Sequence, residues 1–340
     1  MNMRAAIKAI TSYLPTGKLT NEQLAERFGD WHASQILSKT GVAVRGVAGP
    51  EECASDLGVA AAKRLFANGS VSPEEIDFLI FCTQSPDYFT PTTACVMQNR
   101  LGLGTDCGAI DINQGCSGYV YGLALAKSLV DAGTARSVLL ITADTYTKFI
   151  NPRDRSLLTL FGDGAAATLI GSMTADSELI GPFVLGTDGG GANQIIVKAG
   201  GLRCPPTPET AVEKEDDSGN WRSEQNLLMN GADVFGFALK TVPQAMQQLL
   251  NKSGLSFDDL DFVVLHQANK FMLERLRAKM KIPAEKFWID MEQCGNTVSS
   301  TIPIALESAL EQGRIKAGDR VALVGFGVGY SWGATLVKIV

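Results

Sequence analysis

The chain has few of the residues on which several common kinds of site depend. Its 340 residues include only two histidines, and its seven cysteines are scattered without a CxxC pair, so a zinc site is not expected. No apolar run reaches the roughly 18 residues of a membrane span. The first ten residues lack a long apolar core, so we expect no signal peptide and a cytoplasmic location.

Charge is also sparse. Charged residues make up 19% of the chain and the net charge is −6, which leaves no basic footprint for nucleic acid. Neither a P-loop nor the GxSxG turn of serine hydrolases occurs. The sequence therefore excludes P-loop nucleotide-binding proteins and serine hydrolases of that type. Apolar residues make up 45%, which is typical of a well-buried globular protein.

What the chain does contain is an internal repeat. Residues 72–84 resemble residues 256–267, with Asp77 aligned on Asp261. Later segments match in the same order, and each half has continuous apolar strands, as in parallel sheets covered on both faces. We therefore predict an α/β fold of two pseudo-symmetric halves, 1–175 and 176–340. Residues 199–226 interrupt the pattern as either a solvated loop or a cap over a site.

Cys116 is the first candidate functional residue. Apolar residues 110–112 precede it and residues 120–126 follow with helical spacing, which predicts strand, tight turn and helix. A helix N-terminus lowers the pKa of a thiol and favours the nucleophilic thiolate. The alternative is a buried cysteine that acts as a small hydrophobe.

The repeat suggests partners for this thiol. His266 ends the second-half strand, and Asn296 lies in the second-half counterpart of the Cys116 turn, so the three side chains can converge on the pseudo-twofold axis. The alternative interpretation of His266, at the end of a buried apolar strand, is a capped core residue. The glycines of residues 325–329 are suited to bringing a backbone N–H near a reacting carbonyl as an oxyanion donor.

In combination and order, several motifs resemble the thiolase-fold condensing enzymes, specifically the β-ketoacyl-acyl carrier protein synthase III family. They are residues 111–118, 266–269, 295–297, 313–316 and 326–333. The resemblance covers nearly the whole chain. It implies a layered α-β-α-β-α arrangement, acyl-coenzyme A or acyl carrier protein as partner, no cofactor, and a homodimer.

The resemblance also implies roles for residues. Cys116, His266 and Asn296 correspond to the catalytic triad, and the backbone N–H groups of Cys116 and Val328 to the oxyanion donors. It implies that acylated Cys116 is attacked by the carbanion of a decarboxylating malonyl thioester. The implied substrate-binding residues are Lys39, Thr90, Arg155, Met229, Gly231, Phe235, Asn269 and Phe326.

Four positions in three segments depart from the family pattern. Gln35 and Lys39 stand where the family has the tryptophan and arginine of its coenzyme A segment, although Trp31 lies one turn earlier. Phe271 stands where an arginine often docks the carrier protein. Thr90 stands where the family commonly has a bulky side chain that reaches across the dimer and closes the partner's acyl channel. The smaller threonine predicts room for a longer or bulkier acyl group.

Two other functions stay open from the residues alone. The first is an acyltransferase that passes the acyl group from Cys116 to an alcohol or amine. The second is a non-catalytic subunit of a synthase complex, against which the presence of Cys116 argues.

Overall fold

The structure is a computed structural model, which describes residues 2–29 and 31–340. The described strands are β1 Asn2–Tyr13, β2 Gly17–Thr20, β3 Val44–Val47, β4 Phe78–Cys82, β5 Gly108–Ile112, β6 Ser137–Asp144, β7 Gly164–Ala175, β8 Ile180–Thr187, β9 Ile195–Val197, β10 Lys214–Glu215, β11 Trp221–Arg222, β12 Leu227–Met229, β13 Phe262–Leu265, β14 Phe287–Trp288, β15 Arg320–Gly327 and β16 Ser331–Lys338. The described α-helices are α1 Asn21–Phe28, α2 Ala33–Thr40, α3 Ala54–Ala67, α4 Thr93–Leu101, α5 Gly118–Asp131, α6 Arg155–Leu158, α7 Gly231–Ser253, α8 Lys270–Met280 and α9 Thr301–Glu311.

Two five-stranded sheets share one topology. The first has the order β1-β7-β6-β4-β5, and the second has the order β8-β16-β15-β13-β14. In each sheet three strands are parallel, and two antiparallel strands complete the opposite side. Strands β4 and β13 occupy equivalent places, as the aligned segments around Asp77 and Asp261 predict. The α/β fold with two pseudo-symmetric halves is confirmed.

The helices form three layers around these sheets. Helices α5 and α9 lie between the sheets, where Leu123 and Leu306 share a core with Ile80 and Val264. Helices α3 and α4 cover the outer face of the first sheet. Helices α7 and α8 cover the outer face of the second. This gives the predicted α-β-α-β-α order and buries both faces of each sheet.

The last strand of the first sheet ends at Ala175, and the second sheet begins at Ile180. Division of the chain into domains 1–175 and 176–340 stays a prediction.

Residues 199–226 include the short β10–β11 hairpin. Ion pairs from Arg153 to Glu213 and from Arg222 to Asp154 attach this segment to the first half.

Parallel strands bring their carboxyl ends to one edge of a sheet, and the two halves meet at these edges. Phe161 and Asn296 form an isolated bridge between the halves, and the Gly162 N–H donates to the Asn296 carbonyl at 3.1 Å. Asp144, at the end of β6, accepts from the hydroxyl of Ser299 in the other half. The residues that follow strands β5, β13 and β15 therefore lie near one another.

Candidate active site

Cys116 lies in the turn between β5 and α5, and 6% of it is exposed. Burial raises the pKa of its thiol to about 12, while the hydrogen bond from the Val328 backbone acts in the opposite direction. The expectation of a lowered pKa is therefore wrong for the free thiol. The reason is that desolvation outweighs the donors at the turn.

The glycine hairpin at the end of β15 lies directly against the nucleophile. A Cβ added to Gly327 would lie 2.8 Å from the Cβ and 2.9 Å from the Sγ of Cys116. Any side chain at this position would have to displace the cysteine. Glycine here lets the Val328 N–H reach the thiol, as the sequence suggests for an oxyanion donor.

His266 follows β13 and is 2% exposed. Its Nδ1 lies 2.7 Å from the Thr301 hydroxyl oxygen, which is also 3.1 Å from the Val298 carbonyl oxygen. Burial lowers the imidazole pKa to about 3, so the ring is neutral near pH 7. The Phe326 ring meets the imidazole edge-on with centroids 5.5 Å apart.

Asn296 is fixed by both its backbone and its side chain. Its N–H donates to the Leu160 carbonyl at 2.8 Å, and its side-chain Oδ1 accepts from the Val298 N–H at 2.9 Å. The Oδ1 contact orients the carboxamide, so the Nδ2 hydrogens are the ones available to a ligand.

Cys116, His266 and Asn296 line one cavity of about 140 Å³. Five other sequence-predicted site residues also line it, namely Met229, Gly231, Asn269, Phe326 and Val328. Most of the remaining wall is apolar and was not predicted; it includes Tyr146, Leu160, Phe161, Ile195, Val234 and Met272. This composition suits a small acyl group next to a few fixed polar atoms.

Four predicted substrate-binding residues lie outside this wall. Lys39 lines a separate cleft with Trp31 and Gln35. The Arg155 guanidinium lies over the rings of Trp31, at 4.8 Å, and Phe28, at 5.2 Å. Lys39 is exposed and Arg155 is half-buried, and neither lines the cavity that holds the triad.

The other two outlying residues are Phe235, on α7, and Thr90, in a loop. Phe235 stacks on Phe271, with centroids 5.6 Å apart, and Arg275 lies over Phe271 at 5.1 Å. Thr90 lies in an exposed loop after Tyr88 and Phe89.

Thr301 is the site residue that sequence reasoning missed most plainly. It is 3% exposed and contacts Nδ1 of the His266 imidazole. The available signal was its place at the first residue of α9, five positions after Asn296. The sequence does not mark this threonine as a site residue, because threonine is common at helix starts.

Comparisons with known proteins show which family the chain belongs to. Residues 110–189 match the 3-oxoacyl-[acyl-carrier-protein] synthase III family model, and residues 250–339 match the model of its C-terminal part. A β-ketoacyl-[acyl-carrier-protein] synthase III from Caldanaerobacter subterraneus is 38% identical over 98% of this chain and 97% of its own length. The chain belongs to the β-ketoacyl-acyl carrier protein synthase III family.

Solved structures give the same result. A 3-oxoacyl-(acyl-carrier-protein) synthase III crystal structure is 54% identical, with a TM-score of 0.98 over 99% of this chain and 100% of that one. The priming β-ketosynthase of the R1128 polyketide pathway is 30% identical, with a TM-score of 0.85 over 100% and 98%. The thiolase-like fold and the transferase class are confirmed, as is the decarboxylative condensation of an acyl with a malonyl thioester. Among the described residues, no helix combines the length and apolarity needed to cross a membrane.

Proposed function

We propose that Cys116 is the acyl-accepting nucleophile of this condensation and that His266 and Asn296 bind the malonyl thioester. The proposal rests on one observation: the thiol, the imidazole and the carboxamide line the same cavity, with the Val328 N–H at the sulfur. The sulfur attacks the carbonyl carbon of the acyl thioester, and the carrier thiol leaves with the proton. The N–H groups of Cys116 and Val328 stabilise the oxyanion of the tetrahedral intermediate.

In the second step, His266 and Asn296 donate to the thioester oxygen of the malonyl group. Loss of carbon dioxide leaves an electron pair on the adjacent carbon, and the two hydrogen bonds stabilise the enolate charge on that oxygen. The carbanion attacks the acyl carbonyl, and the Cys116 sulfur leaves as a thiolate. The buried Phe326 ring beside His266 supplies an apolar wall that favours loss of the charged carboxylate.

This role requires a hydrogen on Nε2 of His266. A neutral imidazole carries one N–H, so Nδ1 must accept a hydrogen bond instead of donating one. Thr301 has a single hydroxyl proton and two acceptors in reach, at 2.7 Å for Nδ1 and 3.1 Å for the Val298 carbonyl. Donation to Nδ1, at the shorter of the two distances, is the arrangement that leaves Nε2–H as the donor, and the proposal requires it.

We infer that the acyl group arrives on acyl carrier protein or coenzyme A. Exposed Lys270 and Arg275, on α8 next to cavity residues Asn269 and Met272, are suited to an acidic carrier.

A homodimer also stays a proposal. The side chains of Tyr88 and Phe89 are exposed, at 60% and 86%, and fit a surface covered by a second copy. Light scattering on Phe89→Asp beside the wild type tests the dimer.

Intact-protein mass spectrometry tests the nucleophile. We expect acyl thioesters to add one acyl mass to the wild type and to Cys95→Ser, which removes an exposed thiol, but not to Cys116→Ala. Malonyl thioester should then discharge the adduct with release of carbon dioxide. Discharge only by an alcohol or amine would favour the acyltransferase, and an acyl mass retained in Cys116→Ala would refute the assignment.

A further inference from the structure

Asp144 is a buried acid that has no part in the proposed reaction. It ends β6 and is 0% exposed. One carboxylate oxygen accepts from the Gln84 N–H at 2.8 Å, and the other accepts from the Ser299 N–H at 3.3 Å and from the Ser299 hydroxyl. These three donors are neutral, and burial raises the pKa of the carboxyl to about 7. A buried acid with such a shift beside an active site is a candidate for a functional role.

The acid joins the two halves of the molecule beside the cavity. Gln84 comes shortly after β4 in the first half. Ser299 belongs to the second half, where it lies between Asn296 and Thr301 in the chain. Asp144 therefore ties residues 296–301, the segment with one proposed malonyl donor, to strand ends of the other half.

This segment contains a strained residue. Val298 is 0% exposed and has a φ of +55°, in the left-handed region that a β-branched residue rarely adopts. Such a conformation persists only where the surrounding contacts hold it, and it is most often found at functional sites. Here it directs the Val298 N–H to Oδ1 of Asn296 at 2.9 Å, which leaves the Nδ2 hydrogens for the malonyl thioester.

The peptide group between Val298 and Ser299 is held at both ends. Its N–H donates to Asp144, and its carbonyl accepts from the Thr301 N–H. The Thr301 hydroxyl in turn lies 2.7 Å from Nδ1 of His266. Because a peptide group is planar, the contact with Asp144 also restrains the carbonyl that holds Thr301.

We propose that Asp144 positions both malonyl donors: by holding Ser299, it keeps Val298 in the left-handed conformation. Asp144 acts through other residues and is a positioning residue. The inference rests on the proposed function, in which Asn296 and His266 bind the malonyl thioester. Loss of the carboxylate should therefore slow decarboxylation more than acylation of the thiol, which lies on another turn.

The test compares the two half-reactions in Asp144→Asn. Assays at about pH 8.5, above the pKa of Asp144, keep the wild-type carboxyl ionised. An amide has one acceptor oxygen instead of two, so the contact with Gln84 or with Ser299 is lost. Release of labelled carbon dioxide from malonyl thioester should fall by about 10- to 100-fold, since small misplacements of binding groups have effects of this size. Acetyl transfer from acetyl-coenzyme A to Cys116, followed by intact mass, should stay within about threefold and shows that the variant is folded.

The reactivity of the thiol is a second measurement, which a general loss of structure would not raise. Burial raises the pKa of Cys116, and the charge of Asp144 adds to this rise. Alkylation of Cys116 by iodoacetamide, followed in Cys95→Ser, should therefore be unchanged or faster in Asp144→Asn. A loss of alkylation as large as the loss of carbon dioxide release would contradict the proposal.

Ser299→Ala tests the same contact from the other side. It removes the hydroxyl that Asp144 accepts from and keeps the backbone N–H. Carbon dioxide release should fall by several fold while acetyl transfer stays the same. This variant decides the proposal if Asp144→Asn does not fold.

Asp163 provides a matched control. It is also 0% exposed, and it accepts from the backbone N–H groups of Ala48 and Thr147 and from the Thr147 hydroxyl. Asp163→Asn should lower thermal stability but leave the ratio of decarboxylation to acylation unchanged. The double variant Asn296→Ala/Asp144→Asn should lose less than the product of the two single losses, because one donor is no longer there to be positioned.

Four results would overturn the proposal: wild-type carbon dioxide release in folded Asp144→Asn, equal losses of both half-reactions in Ser299→Ala, the same selective loss in Asp163→Asn, or a full product of losses in the double variant. A failure of the proposed function looks different. In that case Asn296→Ala would release carbon dioxide at the wild-type rate, or no thioester would acylate Cys116 in the wild type.

Discussion

Two sets of side chains around the cavity are held in place by different kinds of structure. The inner group is Cys116, His266, Asn296 and Phe326. The outer group is Lys39, Arg155, Phe235 and Phe271. Every inner residue is on a β-strand, in a segment that follows one or, for Asn296, in an isolated β-bridge, and each is at most 6% exposed. The outer residues lie on helices, and the Phe271 side chain is 52% exposed.

The difference bears on what each set can do. The inner group has fixed geometry and little water around it, so each hydrogen bond there acts in a low-dielectric setting where developing charge is strongly stabilised. The outer group meets solvent, where stacking and charge contacts are weak. We therefore expect changes in the inner group to alter the rate of the chemical step, and changes in the outer group to alter carrier binding.

The largest effect is expected from Asn296→Ala. Removing one preorganised donor from the enolate oxygen should lower malonyl decarboxylation by about 10²–10³-fold. Acylation of Cys116 precedes this step and should stay within a few fold of the wild-type rate. Release of labelled carbon dioxide and the intact acyl mass measure the two steps separately. An equal loss in both would mean that Asn296 maintains the fold of the turn and is not a donor to malonyl thioester.

The next effect concerns pH. Because burial raises the pKa of Cys116 to about 12, the thiolate fraction of the free enzyme should rise about tenfold for each pH unit across about pH 6 to 9. Alkylation of Cys116 by iodoacetamide, followed in Cys95→Ser, should have that slope. A plateau below about pH 8 would mean that the start of α5 and the Val328 N–H stabilise the thiolate more than burial opposes it.

A smaller effect is expected from Thr301→Val, which removes the hydroxyl bonded to Nδ1 of His266. Losing this hydrogen bond frees the imidazole to adopt the wrong tautomer, so the decarboxylation rate should fall by about tenfold with little change in malonyl KM. Thr301→Ser should restore most of it.

The tautomer can also be read directly. The chain has only two histidines, so His32→Gln leaves a single imidazole whose nitrogen-15 shifts report whether Nδ1 or Nε2 carries hydrogen. We expect hydrogen on Nε2 in that variant and a mixture once Thr301→Val is added. Hydrogen on Nδ1 in the presence of Thr301 would contradict the proposed donor.

The convergence of Cys116, His266 and Asn296 could be predicted from the sequence because it follows from the repeat, whereas Phe326 was selected only by the family resemblance. Equivalent strand ends in pseudo-symmetric sheets must meet, and the aligned segments at Asp77 and Asp261 fix which ends are equivalent. The thiol pKa could not be predicted this way, because the helix start is visible in the sequence whereas the burial of Cys116 is produced by residues far along the chain, such as Gly327.

The outer group and the apolar wall were harder to predict for another reason. Tyr146, in the apolar wall, is hydrogen-bonded to Gln84 across 62 positions, and no motif marks it as part of an acyl site. Lys39 and Arg155 were selected by resemblance, and the structure places them outside the active-site cavity, Lys39 in a separate cleft and Arg155 over the ring of Trp31, which lines that cleft. Side-chain packing between distant segments, and not local pattern, determines these positions.

The smallest effect, and the sharpest test of the comparison, is expected from Arg155→Ala. The Arg155 guanidinium lies over the rings of Trp31 and Phe28 beside the cleft that Lys39 lines, so it supports an aromatic surface for a flat group such as adenine. Loss of a partly exposed cation–π contact is worth about 0.5–1 kcal/mol, which predicts a two- to fivefold rise in KM for acyl-coenzyme A. The kcat should not change, and KM for the same acyl group on carrier protein should stay constant, because that carrier has no adenine to place there. A loss of kcat in Arg155→Ala would remove the distinction between the two groups, since an outer residue would then control the chemical step.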